Sequence, residues 1–167
     1  LKRKSLDEFL SEKNNSYKLP LRIIILDQVT DPQNVGAIIR SAYAFKMNAL
    51  ALSQTNSPFE STSMSKASSG AIDKLQIIEL SNMSRAIKNL QESDFRVYGL
   101  THGGHGNIFD LEKEDGNVAV IVGSEGKGLR RLTREKVDQL LEIPINQNSG
   151  SLNVSNAASI TMFLLQK

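Results

Sequence analysis

The 167 residues suffice for one domain with a single sizeable core, and 40% apolar with 23% charged residues is ordinary for a globular fold. No cysteine is present, which excludes disulfides, thiolate metal sites and any cysteine nucleophile. Twenty basic residues against 18 acidic ones permit an RNA partner without pointing to one, and aromatics at 5% with no Trp argue against a base-stacking surface.

No apolar run approaches the roughly 18 residues of a membrane span, and no signal-peptide pattern opens the chain. With the lack of cysteine, this suits a reducing cytoplasm and no membrane partner. The chain begins at Leu1 rather than Met, so a preceding N-terminal domain is expected.

Residues 1–20 are polar and charged, with a short helical pattern (Leu6, Phe9, Leu10) ending near Asn14 and Asn15 and closed by Pro20. They read as a linker or lead-in helix outside the core. Residues 21–26 (LRIIIL) are an apolar, β-branched run, as expected of a strand buried on both faces. Thr30, Asp31 and Pro32 supply cap chemistry for a helix over 35–45. A second strand is predicted at 49–52, a polar helix at 61–69 and a third strand at 75–80. A helix at 83–91 follows, then strands at 95–100, 118–122 and 140–143, and a closing helix at 151–165. Strands alternating with helices predict an α/β domain whose mostly parallel sheet is covered on both faces. Ligands bind outside the carboxyl ends of such strands, which directs the search to the loops after Leu26, Leu100, Val122 and Ile143.

The first of these loops runs Asp31-Pro32-Gln33-Asn34-Val35-Gly36 and leads to Arg40. It is either a capped helix start with a solvated arginine, or an amide and a guanidinium placed to hold a phosphate. The loop Gly123-Ser124-Glu125-Gly126-Lys127-Gly128 is glycine-rich enough for backbone to approach a ligand closely, yet matches neither G-x-G-x-x-G nor a P-loop. Ile143-Pro144-Ile145 leads through a polar loop to a serine cap at Ser151, with Asn153 in the first helical turn. His102 and His105 lack a third ligand at metal spacing, so no metal is expected. Lys127, Arg130, Arg131, Arg134 and Lys136 form a basic cluster, either a solvated face or an RNA-backbone contact.

Three ordered blocks, residues 26–40 (LDQVTDPQNVGAIIR), 120–132 (VIVGSEGKGLRRL) and 142–159 (EIPINQNSGSLNVSNAAS), resemble the SpoU (TrmH-like) class of the SPOUT methyltransferases. The resemblance implies a catalytic domain over 21–167, with a C-terminal deep trefoil knot in the α/β sheet. It implies methyl transfer from S-adenosylmethionine to a ribose 2′-hydroxyl of RNA. It also implies a homodimer in which the catalytic arginine reaches the partner's cofactor. Position by position, Asn34 and Arg40 match the asparagine and catalytic arginine of the first block. Glu125 matches the glutamate of the second block, and Ser151 and Asn153 match the third. Cofactor contacts fall on Gly123, Ile143 and Leu152, with Thr101 near the methionine or ribose part. The arginine's implied role is to draw off the hydroxyl proton together with an RNA phosphate. Residues 29–34 (VTDPQN) and 132–135 (LTRE) look most like enzymes that methylate a guanosine of 23S-type ribosomal RNA. A tRNA ribose methyltransferase and a non-catalytic RNA-binding paralogue are the alternatives. Those rRNA enzymes carry a small N-terminal RNA-binding domain, of which residues 1–20 would be the linker. The loop 146–150 is more polar than is usual in the class.

Overall fold

Ile23 and Ile25 face one side of β2 (Arg22–Asp27) and Ile24 and Leu26 the other, and all four are buried. A strand apolar on both faces needs cover on both, which drives the three-layer arrangement. The computed structural model describes residues 3–16, 20–53 and 62–166. Its sheet also contains β1 (Arg3–Ser5), β3 (Ala49–Ser53), β4 (Gln76–Leu80), β5 (Phe95–Leu100), β6 (Gly106–Asn107), β7 (Asn117–Gly123) and β8 (Gln139–Glu142). Their order is β1-β4-β3-β2-β7-β5-β8-β6, and every pairing between these strands is parallel.

On one face lie α2 (Pro32–Ala44), α3 (Thr62–Ser68) and α6 (Val154–Leu165). Helix α2 buries Val35, Ile38, Ile39 and Ala42 at the spacing of one helical stripe, and α6 buries Val154, Ala158, Met162 and Leu165. The other face carries α1 (Leu6–Ser16) and α4 (Met83–Glu92), which contribute Leu6, Phe9, Met83, Ile87 and Leu90. Helix α5 (Arg131–Lys136) follows the glycine-rich loop and packs near α4.

Several expectations need correction. The N-terminal segment is not outside the core: β1 pairs with β4, and Leu6 and Phe9 are 7% and 1% exposed. Strands β1 and β6 are three and two residues long and α5 is six, too short to set up a periodicity in sequence. A 3₁₀ helix over Ile108–Lys113 was likewise unforeseen. Helix α3 begins at Thr62, and the predicted start at Ser61 lies outside the described residues.

Arg22, inside the apolar run, is only 5% exposed. Its guanidinium donates to the carbonyls of Glu114 (2.9 Å), Gly116, Leu21 (3.2 Å) and Leu165 (3.3 Å). Burial pulls its pKa below the ordinary arginine value, and the nearby Glu114 and Asp115 oppose that shift. The contact with Leu165 ties the end of α6 back to β2.

Candidate active site

Strand β2 ends at Asp27, whose carboxylate is completely buried and therefore needs donors. It accepts from the Arg130 backbone N–H (3.1 Å), from Arg130 Nε (2.7 Å) and from Thr133 Oγ1 (2.9 Å). Asp27 is in register with Gly123 of β7, so these bonds clamp the far end of the glycine-rich loop beside its start. The loop folds back on itself, with Gly128 N–H donating to the Ser124 carbonyl at 2.8 Å. A Cβ on Gly123 would lie 2.2 Å from the carbonyl carbon of Gly128, so the close approach requires glycine there.

This fold-back carries Glu125 to the start of α6. Its carboxylate accepts from Asn153 Nδ2 and from the Val154 backbone N–H at 3.3 Å, next to the positive end of the helix dipole. Asn153 Nδ2 also donates to Asn34 Oδ1 at 3.1 Å. Residues from three separate stretches of chain therefore meet through one amide. Asn34 is held from its own side by Asp31, which accepts from the Asn34 backbone N–H at 2.9 Å and caps α2. The predicted serine cap of the last helix is corrected: α6 starts at Val154, and Asn153 caps it by accepting from Ser155 N–H at 2.8 Å.

Beside this junction opens a cavity of about 310 Å³. Leu100, Val122, Ile143, Ile145, Leu152 and Val154 give it apolar walls. Thr101, Gly123, Ile143 and Leu152 all line it, as do Glu125 and Ser151. Three of the four loops singled out in sequence thus converge. The fourth, after Leu26, reaches the junction through Asn34.

Arg40 is not brought to this cavity. It sits on the exposed side of α2, six residues beyond Asn34 and so about 9 Å further along the axis. Among the described residues, no hydrogen bond or ion pair reaches it.

The basic cluster divides in the structure. Arg130 pairs with Asp27 (2.7 Å) and Arg131 with Glu135 (2.8 Å). Arg134 turns to the cavity, where Nη1 donates to Thr101 Oγ1 at 3.2 Å. His102 lines the cavity, and among the described residues no group of three His, Asp or Glu side chains could hold a metal. Sequence reasoning missed Asp27 and singled out Arg134 only as one of several surface cations. The signal for Asp27 was an acidic residue closing a buried parallel strand, where sites of α/β sheets gather.

The model of the SpoU rRNA Methylase family matches residues 21–163. A 23S rRNA (guanosine-2′-O-)-methyltransferase of Xylella fastidiosa is 41% identical over 141 residues, which are 84% of this chain and 56% of that protein. Its counterpart in Xanthomonas campestris is 38% identical over the same shares. The chain thus spans little more than half the length of these relatives. Among solved structures, an AdoMet-bound rRNA methyltransferase from Sinorhizobium meliloti superposes with a TM-score of 0.80 at 26% identity, over 89% of this chain and 56% of that one.

Proposed function

The chain belongs to the SpoU rRNA Methylase family, and on that premise we propose that it methylates the ribose 2′-hydroxyl of a guanosine in 23S-type ribosomal RNA, using S-adenosylmethionine. The observation that carries this reading is the junction of Asn34, Glu125 and Asn153 beside the cavity. The relatives' names support the guanosine and the large-subunit RNA.

The cavity suits the cofactor chemically. Its aliphatic walls match a purine, and the lining residues Gly126 and Gly128 have open space where a Cβ would stand, so no side chain shields the loop's backbone there. When bound, S-adenosylmethionine supplies a methyl group on a cationic sulfur, open to direct attack by oxygen. Gly123, Ile143 and Leu152 hold it through the loops that carry them, and Thr101 closes one side. Glu125 and Asn153 fix the start of α6, so Ser151 and Leu152 keep the shape of the wall. Arg40 meets the RNA. A guanidinium already carries its proton and is a poor base alone, so it acts with an RNA phosphate, whose oxygen takes up the hydroxyl proton. Positioning of the two reactants carries most of the acceleration.

The working unit is a homodimer. Tyr43 on α2 and Ile160 and Phe163 on α6 are 46%, 38% and 57% exposed, an apolar face on the pair of helices that includes Arg40. Ser41 and Ser159 bond at 2.8 Å across that pair, which keeps the face continuous. Arg40 of one protomer then serves the cavity of the other, which explains why it stands apart from the cavity of its own chain. An RNA-binding domain precedes β1 in the proposed enzyme, and a ribosomal substrate accords with a cytoplasmic location. The family implies the knotted threading of the C-terminal segment.

Methyl transfer from labelled S-adenosylmethionine to RNA of cells lacking the enzyme, with mapping of the product, tests the reading. A 2′-O-methylguanosine in 23S-type RNA is expected. Label on a base overturns the mechanism, and label only on tRNA overturns the substrate.

A further inference from the structure

We infer that Arg134 recognises the carboxylate of the methionine part of S-adenosylmethionine, an inference that rests on the cofactor reading above. Five cations cluster between Lys127 and Lys136, and the structure commits two of them elsewhere. Arg130 is bound to the buried Asp27, and Arg131 is paired with Glu135 on the outer side of α5. Of the cluster, Lys127 and Arg134 line the cavity. Arg134 reaches no carboxylate among the described residues; its Nη1 donates to a neutral hydroxyl, that of Thr101. A guanidinium has five donors, so this bond leaves most of them free for a bidentate anion.

Arg134 is also the better prepared of the two. It is borne on a helix whose first turn is anchored by the Thr133–Asp27 bond, and Thr101 steadies its tip. Lys127 rides at the turn of the glycine-rich loop on a flexible stem. The cavity's acidic residue, Glu125, is engaged with Asn153 and the Val154 N–H. That leaves the guanidinium as the better-fixed positive charge at the cavity. S-Adenosylmethionine has one anionic group, its carboxylate, and the match of charge and planar geometry assigns the two to each other.

Decarboxylated S-adenosylmethionine, which lacks only that group, isolates the contact. Calorimetry with both ligands on the wild type, Arg134→Gln and Arg134→Lys completes the cycle. Arg134→Gln is expected to weaken S-adenosylmethionine about tenfold, the scale of one charge-assisted contact at a partly exposed site. The decarboxylated ligand should change less than twofold, and Arg134→Lys should recover part of the loss. Equal weakening of both ligands overturns the inference, because Arg134 would then act only by holding Thr101. So does a carboxylate-specific loss that follows Lys127→Gln instead. Unchanged binding of both ligands with weakened RNA binding transfers Arg134 to an RNA phosphate and also overturns it. A wild type that binds neither ligand removes the cofactor reading itself, an outcome distinct from the others.

Discussion

Asn34 and Arg40 lie on the same helix, six residues apart, yet the fold treats them in opposite ways. Asn34 is locked from two sides, by Asp31 and by Asn153, within a network that continues through Glu125 to the first turn of α6. Arg40 is exposed and forms no hydrogen bond or ion pair among the described residues. In the proposed mechanism, the difference separates a part of the site that must be built before any ligand arrives from a part that waits for a partner. Held groups lower the cost of binding a small ligand because their ordering is completed during folding. An arginine that meets a flexible RNA gains nothing from being held against its own chain.

Substitutions can break or sharpen that contrast. The largest effect belongs to the built part. Asp27→Ala removes a buried carboxylate and strands the Arg130 N–H and the Thr133 hydroxyl. The expected cost is about 4 kcal/mol, read as a melting temperature lowered by roughly 10 °C, with cofactor affinity falling as well. Next comes Arg40→Ala. It should lower kcat by about 100-fold at saturating RNA and cofactor, while melting temperature and cofactor Kd stay at wild-type values. Near-normal kcat would remove Arg40 from the mechanism, and a shift in Kd would erase the distinction from Asn34. Mixing Arg40→Ala with Asn153→Ala chains should return part of the activity that each homodimer lacks, since a mixed dimer retains one complete site. No recovery would place Arg40 with its own chain's cavity.

Glu125→Ala should be milder. It releases Asn153 Nδ2 and the Val154 N–H, and should raise the cofactor Kd about tenfold with a modest fall in melting temperature. Smallest of all is Arg131→Gln, which breaks an exposed pair with Glu135 whose side chains are 79% and 53% exposed. It should change stability by less than about 0.5 kcal/mol and leave cofactor binding unaltered, even though Arg131 belongs to the same basic cluster as Arg130.

That last pair shows where sequence reading stops. In sequence, Arg130, Arg131 and Arg134 are near-equivalent cations within five residues. In the fold one neutralises a buried aspartate more than 100 positions away, one pairs locally, and one points into the cavity. Neighbours along the chain cannot reveal which of these happens, because the partners of Arg130 and Arg134 come from β2 and from the loop after β5.

What the sequence by itself determined was the pattern of burial and the grouping of chemistry. Its β-branched runs dictated parallel strands covered on both faces, and its Gly and Asn loops marked the strand ends where a site forms. Short apolar patterning also placed α2, α4 and α6 within a few residues of their observed limits. Only the tertiary structure decided the roles at long range: Leu6 and Phe9 in the core, Arg22 buried against four carbonyls, Asp27 as the clamp of the loop, and Asn153 as both helix cap and bridge. For Arg22 and Asp27 the physical reason is the same. A buried polar group must find its donors or acceptors, and those partners are fixed by the sheet order β2-β7-β5-β8 rather than by proximity along the chain.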